Sequence, residues 1–93
     1  MKIINRKEDE ASAISFSNQH GISIKCFKTY YIRDDGSYDK VIYYLVDPQG
    51  IEHVMEEVYK QDKNVTDHVL VGDKTFNSVY EAEQFVLEVM RSK

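Results

Sequence analysis

The stretch from Gly21 to Asp47, GISIKCFKTYYIRDDGSYDKVIYYLVD, constrains this chain more than any other. It reads as two long strands joined by a tight turn, and it holds five of the seven tyrosines and the only cysteine. Asp34-Asp35-Gly36-Ser37 supplies the turn, because an Asp-Gly pair tolerates the positive φ angles of a type I′ hairpin. Centring the turn on Asp35-Gly36 sets Arg33 opposite Tyr38, Tyr31 opposite Lys40, Thr29 opposite Ile42 and Phe27 opposite Tyr44. Ile24, Cys26, Tyr30, Val41 and Leu45 then share one face, which is the better core. Phe27, Tyr31, Tyr38, Ile42 and Tyr44 share the other with Lys25, Arg33 and Lys40. A slip of one residue would exchange the two faces.

The flanking segments are shorter and less decided. Lys2-Ile3-Ile4 is either a short strand or a loose start, and Lys7 to Glu10 is a charge run that suits a solvated turn. Ala13 to Ser17 alternates Ile14 and Phe16 with small residues, which predicts a strand outside the main hairpin. Asn18-Gln19-His20-Gly21 follows as turn chemistry. Asp47-Pro48-Gln49-Gly50 fits either a helix start, with Pro at its first position, or a type I turn. Beyond it, Ile51, Val54, Met55, Val58 and Tyr59 fall at i, i+3, i+4, i+7 and i+8, the spacing of an apolar helical stripe. That spacing favours a helix over 48–60, against the cost of Gly50 in its first turn.

His68 to Val71 predicts another short strand, closed by Gly72-Asp73-Lys74. Ser78 with Glu81 three residues on is a capping box, and Ala82, Phe85, Val86, Val89 and Met90 form the apolar stripe of a helix running to about Arg91. The fold class expected is therefore α+β: an antiparallel sheet of about four strands, a C-terminal helix packed on one face, and a second helix at 48–60. All 93 residues form one small domain in this reading.

Several kinds of chemistry can be weighed from spacing alone. A chain this short has little room for a catalytic cleft and its supporting layer, which argues against an enzyme. His53 and Glu57 would share a helix face, but a metal needs three or four ligands and no zinc-protease pattern is present. Asp34, Asp35 and Asp39 surround Gly36, yet a calcium-loop register would place Tyr31 and Arg33 where carboxylates belong. No serine sits in a nucleophile elbow, and four glycines spread singly make no phosphate cradle. No cofactor, no metal and no catalytic residue is expected. A lone Cys26 inside an apolar strand fits a reduced, buried thiol.

The net charge of −4 is unevenly spread. Residues 1–33 carry six basic and three acidic side chains, and residues 34–93 carry six basic and thirteen acidic ones. The acidic remainder opposes non-specific binding to nucleic-acid backbone and suits a basic protein surface. Neither a signal-peptide apolar run nor a membrane span is evident, which predicts a soluble cytoplasmic protein.

The aromatic and basic face of the hairpin remains. Tyr31, Arg33, Tyr38, Lys40 and Tyr44 are the candidate binding residues, because tyrosine and arginine anchor protein interfaces. The functional expectation is a small non-enzymatic protein–protein interaction module, an inhibitor or adaptor that docks an acidic or tyrosine-rich surface on a larger protein. A homodimer is compatible with an exposed sheet face. The alternative is a single-stranded nucleic-acid-binding domain that stacks bases on the same rings.

Overall fold

A computed structural model describes residues 1–61 and 63–92. In chain order it holds β1 (Lys2–Glu8), α1 (Glu10–His20), β2 (Lys25–Ile32), β3 (Tyr38–Val46), β4 (Glu52–Tyr59), β5 (Thr66–Val71), β6 (Lys74–Phe76) and α2 (Val79–Arg91). The strands form one antiparallel sheet in sequence order, β1-β2-β3-β4-β5-β6. The sheet thus has six strands where four were expected. β1, β4 and β6 are additional, and the strand expected over 13–17 lies instead within α1.

The helical assignment of 48–60 is overturned by its own turn. Gly50 adopts φ 84°, its N–H reaches the Asp47 carbonyl at 2.9 Å, and the Asp47 N–H reaches the Ile51 carbonyl at 2.9 Å. The Asp47 carboxylate accepts the Gln49 and Ile51 N–H groups at 2.9 Å each. This closes a type I turn with glycine in the left-handed position, and the chain returns antiparallel to β3. Along β4 the alternation spoiled by His53 and Glu57 is repaired by side-chain partners. His53 meets Asp47 at 2.9 Å. The buried Glu57 accepts hydrogen bonds from the hydroxyls of Tyr43 (2.7 Å), Tyr59 (3.0 Å) and Thr66. Polar groups on a buried strand face are tolerated when they are bonded.

Residues 10–20 are helical because both ends are capped. The Asp9 side chain accepts from the Ser12 N–H at 3.0 Å, and Gly21, at φ 67°, donates its N–H to the Ser17 carbonyl. Ala13 and Phe16 are buried three residues apart while Ile14 is exposed, so the Ile14–Phe16 alternation was a false strand signal. At α2 the Ser78 hydroxyl accepts from the Glu81 N–H at 3.2 Å. The Arg91 guanidinium donates to the His20 carbonyl at 2.7 Å, joining the ends of the two helices.

Both helices pack on the same side of the sheet. Ala13 and Phe16 of α1 and Ala82, Val86, Leu87 and Met90 of α2 meet Cys26, Leu45, Met55 and Val69 from four strands. Those four residues share one face by the pairing of Cys26 with Leu45, Tyr43 with Met55 and Glu57 with Val69. Among the described residues no helix is long and apolar enough to cross a membrane.

The pairing of β2 with β3 follows the trial register from Cys26–Leu45 to Tyr31–Lys40. It then slips by one, so that Ile32 pairs with Tyr38 and Asp39 becomes the extra residue of a bulge. The turn itself is not type I′. Only Gly36 has positive φ, at 88°, and its N–H bonds to the Arg33 carbonyl at 2.9 Å. This is the geometry of the Asp47–Gly50 turn over again.

The Asp9 cap also holds Lys28, whose ammonium lies 2.9 Å from its carboxylate. The hydrogen bond from Lys28, then that from the Ser12 N–H, holds the Asp9 carboxyl down at about 2 against an ordinary 3.8. A folded-state value below the unfolded one stabilises above the unfolded pKa and is lost as pH falls through the folded one. Asp9→Ala is therefore expected to lower stability by about 1–2 kcal/mol near neutral pH. It should also flatten the acid limb between 3.8 and about 2. Urea titrations at several pH values measure both, and an unchanged acid limb would refute this role.

Candidate protein interface

The sheet face away from the helices is built by the residues of opposite parity. Cross-strand pairing lines up Phe27, Tyr44 and Val54 in one row, Thr29, Ile42, Glu56 and Leu70 in the next, and Tyr31, Lys40, Val58 and His68 in a third. Among the described residues no helix lies over these rows, since the core contacts of α1 and α2 are all on the other face. Most of the side chains are half-buried by their strand neighbours, while Val54 is 44% exposed.

Of the expected binding residues, Tyr31, Lys40 and Tyr44 stand together on this face. Tyr38 does not. The bulge at Asp39 turns it to the helix side, where its ring lies 5.8 Å from Tyr30 and 5.4 Å from Tyr59, measured between centroids. Arg33 is also withdrawn from the face. Its guanidinium donates to the Lys60 and Tyr59 carbonyls at 3.1 and 3.2 Å and lies 3.5 Å from Asp39, so it ties the first turn to the end of β4.

In their place the structure adds Arg6, a residue that no sequence pattern marks. Pairing of β1 with β2 shifts between Ile4 and Lys7, and within that bulge Arg6 takes φ 33°. Such a conformation costs a non-glycine residue roughly 1–3 kcal/mol and persists only where neighbours enforce it. The Arg6 N–H has left the ladder and is received by the Thr29 hydroxyl at 2.9 Å. That hydroxyl also lies 3.3 Å from Asn5 Oδ1 and 3.3 Å from the Tyr44 hydroxyl. Thr29 is only 2% exposed, and the Arg6 N–H, the Asn5 side chain and the Tyr44 hydroxyl close on its hydroxyl.

The Arg6 side chain then crosses the open face. Its guanidinium carbon lies 4.9 Å from the centre of the Phe27 ring and 4.5 Å from that of Tyr44, and Nη2 reaches Glu52 at 2.5 Å. Two rows away, Lys40 repeats the arrangement, with its ammonium 4.8 Å from the Tyr31 ring and 3.8 Å from Glu56. Each unit contains a cation, an aromatic ring and a β4 carboxylate. Exposed cation–π contacts are worth about 0.5–1 kcal/mol and exposed ion pairs less, so these units shape the surface more than they stabilise the fold.

A second concavity lies on the helix side. Ser12, Phe16, Cys26, Lys28, Tyr43 and Glu83 line a cavity of about 210 Å³ between α1, α2 and the sheet. Its polar groups are mostly engaged within the chain. Lys28 is bonded to Asp9 and Ser12 at 2.9 Å each and lies over the Tyr43 ring, and Tyr43 is bonded to Glu57. Burial pushes the Cys26 thiol up to about 11, which keeps it protonated and weakly nucleophilic near neutral pH. The buried Asp47–His53 pair is likewise structural: the hydrogen bond from His53, then the Ile51 and Gln49 N–H groups, holds the Asp47 carboxyl below its usual range. Among the described residues no group of three or more His, Cys, Asp or Glu side chains is arranged to hold a metal ion.

No protein-family model, no curated protein and no solved structure matches the chain.

The bulge makes a measurable demand on Thr29. Thr29→Val keeps the shape but removes the acceptor of the Arg6 N–H, and orphaning this part-buried donor costs about 1 kcal/mol. We expect that loss in urea unfolding, together with fast exchange of the Arg6 amide hydrogen. Exchange as slow as in the parent protein would show that Thr29 does not hold the bulge.

Proposed function

We propose that the chain is a non-enzymatic binding module that engages a protein partner through the open face of its sheet, as an adaptor or inhibitor does. The observation that carries this reading is the apolar and aromatic surface formed by Phe27, Tyr31, Ile42, Tyr44, Val54 and Leu70 without a helix over it. A contiguous surface of this kind, crossed by arginine and lysine, has the composition of a protein-interface centre. The −4 net charge favours a basic partner. We assign the protein to the cytoplasm, a reading supported by the free, buried thiol of Cys26.

Single-stranded nucleic acid fits the same face less well. Stacked bases need free ring faces and a groove of positive potential. Here Arg6 and Lys40 already lie against the rings, and Glu52 and Glu56 put carboxylates between them. A phosphate backbone laid over this surface would meet negative charge along β4.

Val54 offers a clean test because it is 44% exposed and ends the Phe27–Tyr44 row. Val54→Asp should leave thermal unfolding nearly unchanged and abolish capture of the partner from a nuclease-treated lysate of the source organism. Tyr80→Ala, at a more exposed position on α2, should capture as the parent does. Retention of the partner by Val54→Asp would refute the open-face reading, and loss of the wild-type partner on nuclease treatment would move the face to nucleic acid.

A further inference from the structure

The open face holds an arrangement that resembles a bound complex, except that the ligand belongs to the same chain. The Arg6 guanidinium lies over two rings, Phe27 and Tyr44, and ends on the Glu52 carboxylate at 2.5 Å. A planar cation stacked on aromatic rings and bonded to a carboxylate is the general chemistry by which proteins recognise arginine. The two rings are fixed by strand pairing, since Phe27 and Tyr44 are direct cross-strand partners and Val54, beside Tyr44, continues the same row. Glu52 sits at the start of β4, two residues after the glycine that ends the Asp47–Gly50 turn. Arg6 itself is supplied from the edge strand, at φ 33°, with 42% of its side chain exposed. The receptor half is held by the sheet, while the ligand half is strained and solvent-facing.

We propose that Phe27, Tyr44 and Glu52 form a binding site for an arginine side chain of the partner protein, and that Arg6 fills it in the free protein. This rests on the open-face reading above and names the chemistry of the partner. When the partner docks, its arginine replaces Arg6, the Arg6 backbone relaxes from its left-handed conformation, and the contacts of the site are conserved. Occupancy in cis lowers the apparent affinity for the external arginine by the fraction of molecules that are closed. It also shields the two rings from non-specific contacts while the partner is absent. Charge agrees, because residues 34–93, which supply Tyr44 and Glu52, carry thirteen acidic against six basic side chains.

Arg6→Gly separates the two halves. Glycine accepts φ 33° without strain, so the bulge and the site persist while the internal ligand is removed. The probe is acetyl-Gly-Arg-Gly-amide, with its citrulline counterpart as the neutral isostere, followed by NMR of the Phe27 and Tyr44 ring protons. We expect saturable shifts of both rings in Arg6→Gly with an affinity about tenfold above that of the parent. The citrulline peptide should produce none, and Arg6→Gly with Glu52→Gln should lose the gain. Arg6→Gln, which keeps a long uncharged side chain, serves as the second opened variant if glycine loosens β1. The proposal is overturned if the opened variant binds the arginine peptide no better than the parent, if citrulline binds equally, or if the shifts lie elsewhere. A parent dimer that Arg6→Gly dissolves would also overturn it, because the arginine would then sit in a second copy and not in cis. If Val54→Asp loses its partner while the opened site gains nothing, the open face stands and only the arginine site falls.

Discussion

Two turns of one design set the geometry of the whole sheet. In both, a glycine at the fourth position takes a left-handed φ, 88° at Gly36 and 84° at Gly50. Its N–H closes on the first residue of the turn, whose own N–H bonds across to the next strand, Arg33 to Ser37 at 2.7 Å and Asp47 to Ile51 at 2.9 Å. These turns fix how β2, β3 and β4 pair, and pairing decides which side chain meets the helices and which meets solvent. Cys26, Leu45 and Met55 go to the core, and Phe27, Tyr44 and Val54 go to the open face, by the same parity. The make-up of the open face depends on that ladder.

The parity explains how much of the chain could be read from its residues. The β2–β3 pairing was legible because long alternating runs flanked an unmistakable turn, and α2 because a Ser78 cap preceded a full apolar stripe. β4 was not legible. Its apolar residues satisfy the helical spacing and a two-sided strand alike, with Val54 and Val58 on one face and Met55 and Tyr59 on the other. What rescues the strand is Glu57 in a cage of hydroxyls from β3, β4 and β5 and His53 on the turn carboxylate. Those are partnerships between residues that single-segment periodicity never compares. α1 failed in the opposite direction: an Ile14–Phe16 alternation read as a strand, the caps Asp9 and Gly21 lay in segments read as turns, and the buried side was too narrow to show a stripe.

The aromatic and basic face was legible in kind and not in membership. An aromatic and basic side was expected, and Tyr31, Lys40 and Tyr44 stand on it. The one-residue bulge at Asp39 sends Tyr38 to the opposite side and leaves Arg33 to tie turn to strand. Bulges of this kind leave no trace in composition, because any residue can be the extra one. The β1 bulge is harder still to foresee, since a glycine would be the ordinary choice at φ 33° and the chain has Arg6 there.

That choice is informative about what the face is for. A surface whose only requirement was to stay covered could meet it with a helix or with polar residues on alternate positions, at no backbone cost. This sheet leaves its rings half-buried with no helix over them and covers two of them with a cation held by a strained edge strand. The cover contributes little to folding, because the exposed cation–π contacts and the exposed ion pair exceed the strain they require by only about 1.4 kcal/mol, the margin that a tenfold gain on opening implies. An arrangement so weakly favoured is easily reversed, whereas a helix packed on the same rings would have to unfold before they could be used. On the proposed function, that balance suits a surface that is occupied when alone and released on contact, because its rings stay shielded until a partner arrives.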